Sequence, residues 1–476
     1  MRHAIVCPEY PPAPIPPGGI GTYVLHVARL LALHGETVHV VGRLWEGAPK
    51  PVEESCDGRL IVHRVPLEDG APSAAAGLHS SHTTSDPRVA RALLASDFPP
   101  QCFSWQAALL LERLVEDEGI DTIESQEWEA PLYYFQLRRA MGLGPARRPP
   151  CIVHLHSPSE WIVRHNDWDE GYPYFVHARR FETHSIAAAD AWLCPSRYLA
   201  RQAEARFALP TGAIHSIPLP LGDSPLLERD EETWRHGSIC YVGRLEPRKG
   251  VIEWVDAALD LARRHRSLRF EFVGANLPYT NGWTVREVLE RKIPDGLKPQ
   301  FVFHDSQNRE GRLDLLRRAR AAVVPSRWEN FPNTCVEAMC SGLPVIASRE
   351  GGMAEMIEDG KTGWLAPSAD ARGLTEALTR AVEAPAPSLA EMGRRASESI
   401  RGMCENGSIA ARHVELRQRL ATAGAARSLR VPVILPSSSV GGFTAEPARR
   451  VAARTDADGL AIVVARDVDE DLSHCV

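Results

Sequence analysis

Several things are missing from this 476-residue chain. It has no Cys-x-x-Cys pair and no apolar run near the roughly 20 residues that span a bilayer. Its ten cysteines are scattered, at 7, 56, 102, 151, 194, 240, 335, 340, 404 and 475, so neither a zinc site nor a disulfide frame is implied, and most read as small buried hydrophobes. The stretch Met1 to Pro8 is too short in its apolar part for a signal peptide, which points to the cytoplasm. Positive charge is also short: 54 Lys and Arg against 61 Asp and Glu leave a net −7, which argues against a general nucleic-acid binder. What is present, 44% hydrophobic and 24% charged residues, is the make-up of an ordinary soluble globular protein. At this length two large domains with an appendage are expected.

His3 to Cys7 reads as a buried strand leading into a Pro-rich loop that ends Gly18-Gly19-Ile20-Gly21, with a helix from Val24 to His34 and a strand from Thr37 to Gly42 after it. This is the opening of a doubly wound α/β domain, in which the glycines let backbone approach a ligand closely. The loop lacks the spaced Gly-x-Gly-x-x-Gly pattern, so no nicotinamide site is expected. Further strands are read at Ile120 to Glu124 and Cys151 to His156, and His79 to Ser85 as an exposed loop. Open α/β sheets bind ligands beyond the C-terminal ends of their strands, which singles out Ser125 to Glu129; His156, at the tip of the next strand, reads by itself as a packed or solvated histidine, with His154 on the same face. Glu127 and Glu129 read as acceptor contacts or as solvated loop charges, and Glu182 as structural or catalytic. Pro218, Pro220 and the acidic run Glu228 to Glu232 mark a linker. The expected division is a first domain over 1–218, a linker over 219–237, a second domain over 238–423 and a tail over 424–476.

The second domain opens with a strand that runs into Gly243-Arg244-Leu245-Glu246-Pro247-Arg248-Lys249-Gly250. Arg244 and Lys249 then sit at a strand's C-terminal end, suited to neutralising a diphosphate. Farther on, an apolar strand ends at Pro325, a loop carries Glu329, and a helix opens near Asn333 or Thr334 with Glu337 in its first turns. Two carboxylates thus flank a helix N-terminus, whose unpaired N–H groups favour a phosphate. Hydroxyl-rich groups on either side of a diphosphate are the layout of a nucleotide sugar.

The two glutamates, with seven residues between them and followed by Ala338-Met339-Cys340-Ser341-Gly342-Leu343-Pro344, closely resemble the signature of the retaining GT-B glycosyltransferases of family 4, the group 1 glycosyl transferases. The Gly-Arg-Leu-x-x-x-Lys-Gly spacing resembles that family's diphosphate clamp. The resemblance implies a GT-B fold, two doubly wound Rossmann-like domains facing across a cleft, with the helix Ala410 to Thr422 crossing back to the first domain. It implies catalytic roles for Arg244, Lys249, Glu329 and His156, with Glu329 holding the sugar. It further implies donor contacts from Glu337 to the ribose and from Gly19, Gly21, Gly243 and the segment Asn330, Phe331, Pro332, Asn333 and Thr334.

The implied activity is transfer of a hexose from a UDP- or GDP-linked donor to an acceptor hydroxyl with retention, in glycan, glycolipid or glycosylated-metabolite synthesis. The alternative is a non-catalytic nucleotide-sugar-binding protein on the same fold. The nucleotide sugar is a co-substrate, and neither a cofactor nor a metal is expected. The Asp-x-Asp triplets at Asp167 and Asp467 read as solvated charges. The acceptor is unnamed, and the basic pairs at Arg138, Arg147 and Arg179 leave a peripheral membrane contact open. The tail resembles the truncated beginning of another nucleotide-binding α/β unit.

Overall fold

The computed structural model describes residues 1–12, 18–45, 50–67 and 87–423, together with two short tail strands. The loop expected at His79 to Ser85 and the triplet at Asp467 lie outside the described residues.

The first domain is built on an eight-stranded sheet. Its strands are β1 (Arg2–Val6), β2 (Thr37–Arg43), β3 (Val52–Ser55), β4 (Leu60–Val65), β5 (Thr122–Gln126), β6 (Cys151–His154), β7 (Ala191–Cys194) and β8 (Ile214–Ser216), in the order β3-β4-β2-β1-β5-β6-β7-β8. Only the edge strand β3 pairs antiparallel. The central strands are buried along almost their whole length, as expected for a parallel sheet covered on both faces. The second domain has six parallel strands, β9 (Ser238–Val242), β10 (Phe270–Val273), β11 (Phe301–His304), β12 (Ala319–Val324), β13 (Val345–Ser348) and β14 (Gly363–Ala366), in the order β11-β10-β9-β12-β13-β14. In the tail, β15 (Val433–Pro436) and β16 (Ile462–Ala465) pair in parallel.

Three elements depart from the sequence reading. The first helix spans Gly19–Leu33, so Gly19 and Gly21 form its first turn rather than a loop before it. Strand β6 stops at His154, and His156 lies on the loop beyond it. Within the span read as a linker, Arg229 donates to Ser341 O at 2.7 Å and Leu316 O at 2.7 Å, and the helix Glu231–His236 packs against β12, so this part of the chain lies on the second domain.

The domains are joined by more than the linker. Trp328 of the second domain is buried among first-domain residues, stacked 6.4 Å from Trp161 and 5.8 Å from His165. The last helix, Asn406–Ala423, packs on the helix Gly19–Leu33 and on β5. An apolar cluster runs without a break from Val24, Val27 and Leu31 through Leu219 and Leu227 to Cys240 and Tyr241 of β9.

Candidate active site

Strands β9 and β12 are neighbours, so the loops that leave their C-terminal ends must touch. Arg327 N–H donates to Arg248 O at 2.8 Å, and the Arg248 guanidinium to Trp328 O at 3.3 Å. The approach depends on Gly250, whose φ is +67°; a Cβ there would lie 1.9 Å from Pro325 O.

At this contact Glu329, 6% exposed, takes an ion pair from Lys249 and a second from Arg248 at 3.1 Å. Burial pushes the Glu329 carboxyl up, but Lys249 and then Arg248 outweigh it and hold the group below the usual carboxylate range. Burial lowers the Lys249 ammonium against the pull of Glu329. Arg248 is buried and also pairs with buried Glu246 at 2.7 Å, and half-exposed Arg244 reaches the same Glu246 oxygen at 3.1 Å. Three cations thus converge on two buried carboxylates, leaving Arg244 the most accessible of them.

The helix Asn333–Cys340 begins four residues after Glu329, and no side chain caps its N-terminus. Opposite it stands the first turn of the first helix: a Cβ on Gly19 would lie 3.7 Å from Asn333 Nδ2. Behind that turn the Glu9 carboxylate faces the N–H groups of Gly21 and Gly18; burial pushes it up, and those N–H groups and Arg244 pull the other way.

Asn330 fastens the two halves. Its Nδ2 donates to His156 O at 2.9 Å and Leu155 O at 3.1 Å, and its Oδ1 accepts the Ser196 hydroxyl at 2.5 Å. His156 is stacked on His154 at 4.1 Å and lies against Tyr23 at 4.9 Å. Burial, and then His154, hold the His156 ring neutral well below its ordinary range.

The structure therefore brings together Arg244, Lys249, Glu329, Asn333 and Gly19, and ties His156 to Asn330. Gly243 follows β9 directly, with its N–H on Val273 O at 2.9 Å. Phe331 packs into the apolar core, Pro332 precedes the helix, and Thr334 is partly exposed in its first turn. Gly21 is buried within the first helix. Glu337 takes a different partner, Arg312 at 3.9 Å, and burial raises its carboxyl.

Two charge readings change, those of Glu127 and Asp167, and the structure gives partners to Glu182 and to several of the paired arginines. Glu127 is fully buried and is not a solvated loop charge; it accepts the N–H groups of His156, at 2.8 Å and 2.9 Å, and of Ser157, and burial pushes it up to about 7. Glu182 is buried as well, accepts from Ser159 N at 2.9 Å, Ser159 Oγ at 2.7 Å and Glu129 N at 3.2 Å, and is pushed up to about 8 by burial. Asp167 is not free either, since it pairs with Arg327 at 2.7 Å across the domain boundary. Of the basic pairs, Arg138 is matched by Glu112, Arg139 by Asp190, Arg147 by Asp121 and Arg179 by Glu170, while Arg148 and Arg180 are exposed. No helix among the described residues is long and apolar enough to cross a membrane.

Sequence reasoning passed over Arg248, Glu246 and Glu9. The only linear signal was the alternation Glu246-Pro247-Arg248-Lys249, which on an exposed loop would be unremarked.

A cavity of about 820 Å³ opens beyond the C-terminal ends of the first-domain strands, lined by Pro8, Arg43, Phe103, Glu129, Tyr172 and Tyr174 among others. The Tyr174 hydroxyl donates to Glu129 there.

Residues 17–222 match the family model described as Glycosyltransferase Family 4, and residues 230–399 the model described as Glycosyl transferases group 1. Glycogen synthase of Mycobacterium tuberculosis is 26% identical over 391 residues, covering 81% of this chain and 87% of its own length. Among solved structures, sucrose-phosphate synthase of Thermosynechococcus elongatus superposes with a TM-score of 0.68 at 21% identity, over 89% of this chain and 99% of that one. HepE of Anabaena in complex with UDP gives 0.60 at 16% identity, over 88% and 100%. With both halves of the cleft matched in their own order along the chain, the protein belongs to glycosyltransferase family 4 and is a glycosyltransferase of GT-B fold.

Proposed function

We propose that the enzyme transfers a hexose from a UDP- or GDP-linked donor to an acceptor hydroxyl with retention of anomeric configuration. The observation that carries the reading is the convergence of Lys249, Arg248 and Arg244 on Glu329 and Glu246, beside the open N-terminus at Asn333. As the glycosidic bond to the diphosphate breaks, positive charge develops on the sugar and negative charge on the departing oxygens. Arg244, Lys249 and the helix N-terminus stabilise the leaving group, and their being fixed beforehand lowers the barrier. These groups meet a diphosphate's charge without Mg²⁺, and neither a metal nor a cofactor is part of the proposal. Glu329 then exchanges part of its cation contacts for sugar hydroxyls, Glu337 takes the ribose, and His156 faces the sugar from the first domain.

The acceptor approaches from the first domain, where the cavity by Glu129 and Tyr174 offers polar groups among apolar walls, suited to a glycan, glycolipid or small metabolite. The reaction is placed in the cytoplasm. A binding protein without turnover would tolerate loss of the charged residues, yet Arg244, Lys249, Glu329 and Glu337 are all retained.

The test is a panel of nucleotide sugars. The true donor at about a hundred times its dissociation constant adds about 2.7 kcal/mol to native stability. With that donor, NMR of the product from an α-linked sugar is expected to show an α-linkage; a β-linked product refutes retention, and binding without turnover against a broad acceptor set favours the binding protein.

A further inference from the structure

The helix Asn406–Ala423 closes the second domain in sequence yet delivers a charge into the first. Its Arg417 is fully buried and ion-paired to Glu124 of β5, which is 2% exposed. The same guanidinium donates to His413 Nδ1 at 2.8 Å. Glu124 Oε1 also accepts the Tyr23 hydroxyl at 2.7 Å and lies 3.3 Å from His154 Nδ1. The His154 ring stacks on His156, and Tyr23 meets both, edge-on to His154 at 4.5 Å. The Nε2 atoms of His154 and His156 are buried with no hydrogen-bond partner among the described residues.

We propose that Arg417 is a positioning residue for transfer: by holding Glu124 in place as an anion it fixes His154 as its Nδ1–H tautomer, and through that ring sets His156 for the donor sugar. The inference rests on the reading of His156 as a donor contact. A buried carboxylate costs several kcal/mol unless it is paired and fully hydrogen-bonded, and Glu124 has Arg417, Tyr23 and His154 for this. With an anion at 3.3 Å, the His154 Nδ1 is the donating nitrogen, and its buried Nε2 faces no acceptor among the described residues that would hold a second proton.

The titratable and charged groups facing the pair are Tyr23 on the first helix, Glu124 and Glu127 at the end of β5, and His413 and Arg417 on the last helix. His3 at the start of β1 completes the set. Take Arg417 away and Glu124 is an unbalanced buried anion. Glu124 then takes up a proton, and a neutral carboxyl whose O–H can point at His154 Nδ1 removes the arrangement of a carboxylate acceptor and an Nδ1–H donor. The last helix would thereby make the His156 site depend on the second domain.

The test uses the full chain labelled with ¹⁵N in its imidazoles, in wild type and in Arg417→Met, Arg417→Lys, Arg417→Met/Glu124→Gln and His156→Ala. Imidazole ¹⁵N shifts report the His154 tautomer. Turnover of UDP-glucose and of GDP-mannose, read as nucleotide release, gives the pH profile. Arg417→Met is expected to lose the Nδ1–H signature and to move the acid limb of kcat up by a pH unit or more. The Gln double variant, with a neutral acceptor in place of the anion, should restore the tautomer, and Lys should keep it. An Arg417→Met protein that keeps the wild-type tautomer overturns the inference, as does a double variant no better than the single one. Should Arg417→Met fail to fold, the Lys and double variants carry the same comparison: a disordered His154 tautomer in both would overturn it. His156→Ala with wild-type turnover would overturn this inference and the donor-contact reading together. A crippled His156→Ala beside an unaltered Arg417→Met would overturn this one alone.

Discussion

Replacing Asn330 tests how firmly the two halves of the site are held together. The Asn330 side chain belongs to the second domain, and its partners Leu155 O, His156 O and Ser196 Oγ all belong to the first. Alanine removes both donors and one acceptor from a buried place, because Asn330 is 2% exposed. A single hydrogen bond contributes about 0.5–1.5 kcal/mol net, but each buried group left without a partner costs about 1–3 kcal/mol. Two carbonyls and a hydroxyl are affected, and the hydroxyl can rotate to another acceptor. The expected loss for Asn330→Ala is therefore about 2–5 kcal/mol, a large share of the roughly 5–15 kcal/mol by which proteins are stable. Asn330→Asp should be worse, since it places an anion against two carbonyl oxygens. Equilibrium denaturation by urea measures the loss, and a cycle with Ser196→Ala isolates the Oγ–Oδ1 bond, with an expected coupling of about 1 kcal/mol. Turnover should fall as well, because the His156 carbonyl is one of the anchors. Stability within about 0.5 kcal/mol of wild type for Asn330→Ala, the range of an ordinary surface change, would refute the reasoning.

Lys249→Ala is expected to lower kcat by about 10²-fold or more, as for loss of one preorganised stabilising group, and near-normal turnover would remove Lys249 from the leaving-group role. Glu329→Gln leaves Lys249 and Arg248 facing each other without their shared anion, so it should cost about 3–5 kcal/mol in denaturation besides its effect on rate; an unchanged midpoint would count against the buried ion pair. Glu182, raised from 4.5 to about 8, binds its proton in the folded state when the unfolded chain has released it, so it makes stability fall as pH rises from about 5 to about 8. The slope approaches about 1.4 kcal/mol per unit, and between pH 7 and 8, where ordinary histidines are already neutral, Glu182→Gln should flatten it; equal slopes in both proteins would contradict the buried protonated carboxyl. Excess EDTA should leave transfer unchanged, and activity lost to chelator and regained with Mn²⁺ would refute the metal-free site.

The second domain was legible because its information is local: a strand, a charged loop and a helix start lie within a few residues of one another, whereas the pairing of β9 with β12 that brings Lys249 to Glu329 is a property of the sheet order. The first helix was read as starting at Val24 because glycine is a poor helix former; in the structure it begins at Gly19, with the Glu9 carboxylate beside its first N–H groups. Glu127 was misread as a solvated charge and Glu182 left open between a structural and a catalytic role, for the reason that ionisable residues are rarely buried unless paired. Their partners are backbone N–H groups at His156, Ser157, Ser159 and Glu129, which leave no mark in a sequence. Arg248 was hidden by its neighbour: nothing in a run of Arg and Lys tells which side chain turns inward.

The pairing of Glu124 with Arg417 also bears on how the chain is made. The two residues are 293 positions apart, so at a synthesis rate of about 5–20 residues per second the carboxylate is made roughly 15–60 s before its counter-charge exists. Throughout that time the first domain can form its sheet but can bury Glu124 only as an uncompensated ion or after protonating it, which sets it apart from an N-terminal domain that finishes folding while the rest is still being translated. Nascent first domain should thus stay open around β5 and the helix Gly19–Leu33, exposing an apolar surface that waits for the last helix. Emergence of the helix Asn406–Ala423, rather than completion of the first 218 residues, is then the event that closes the enzyme.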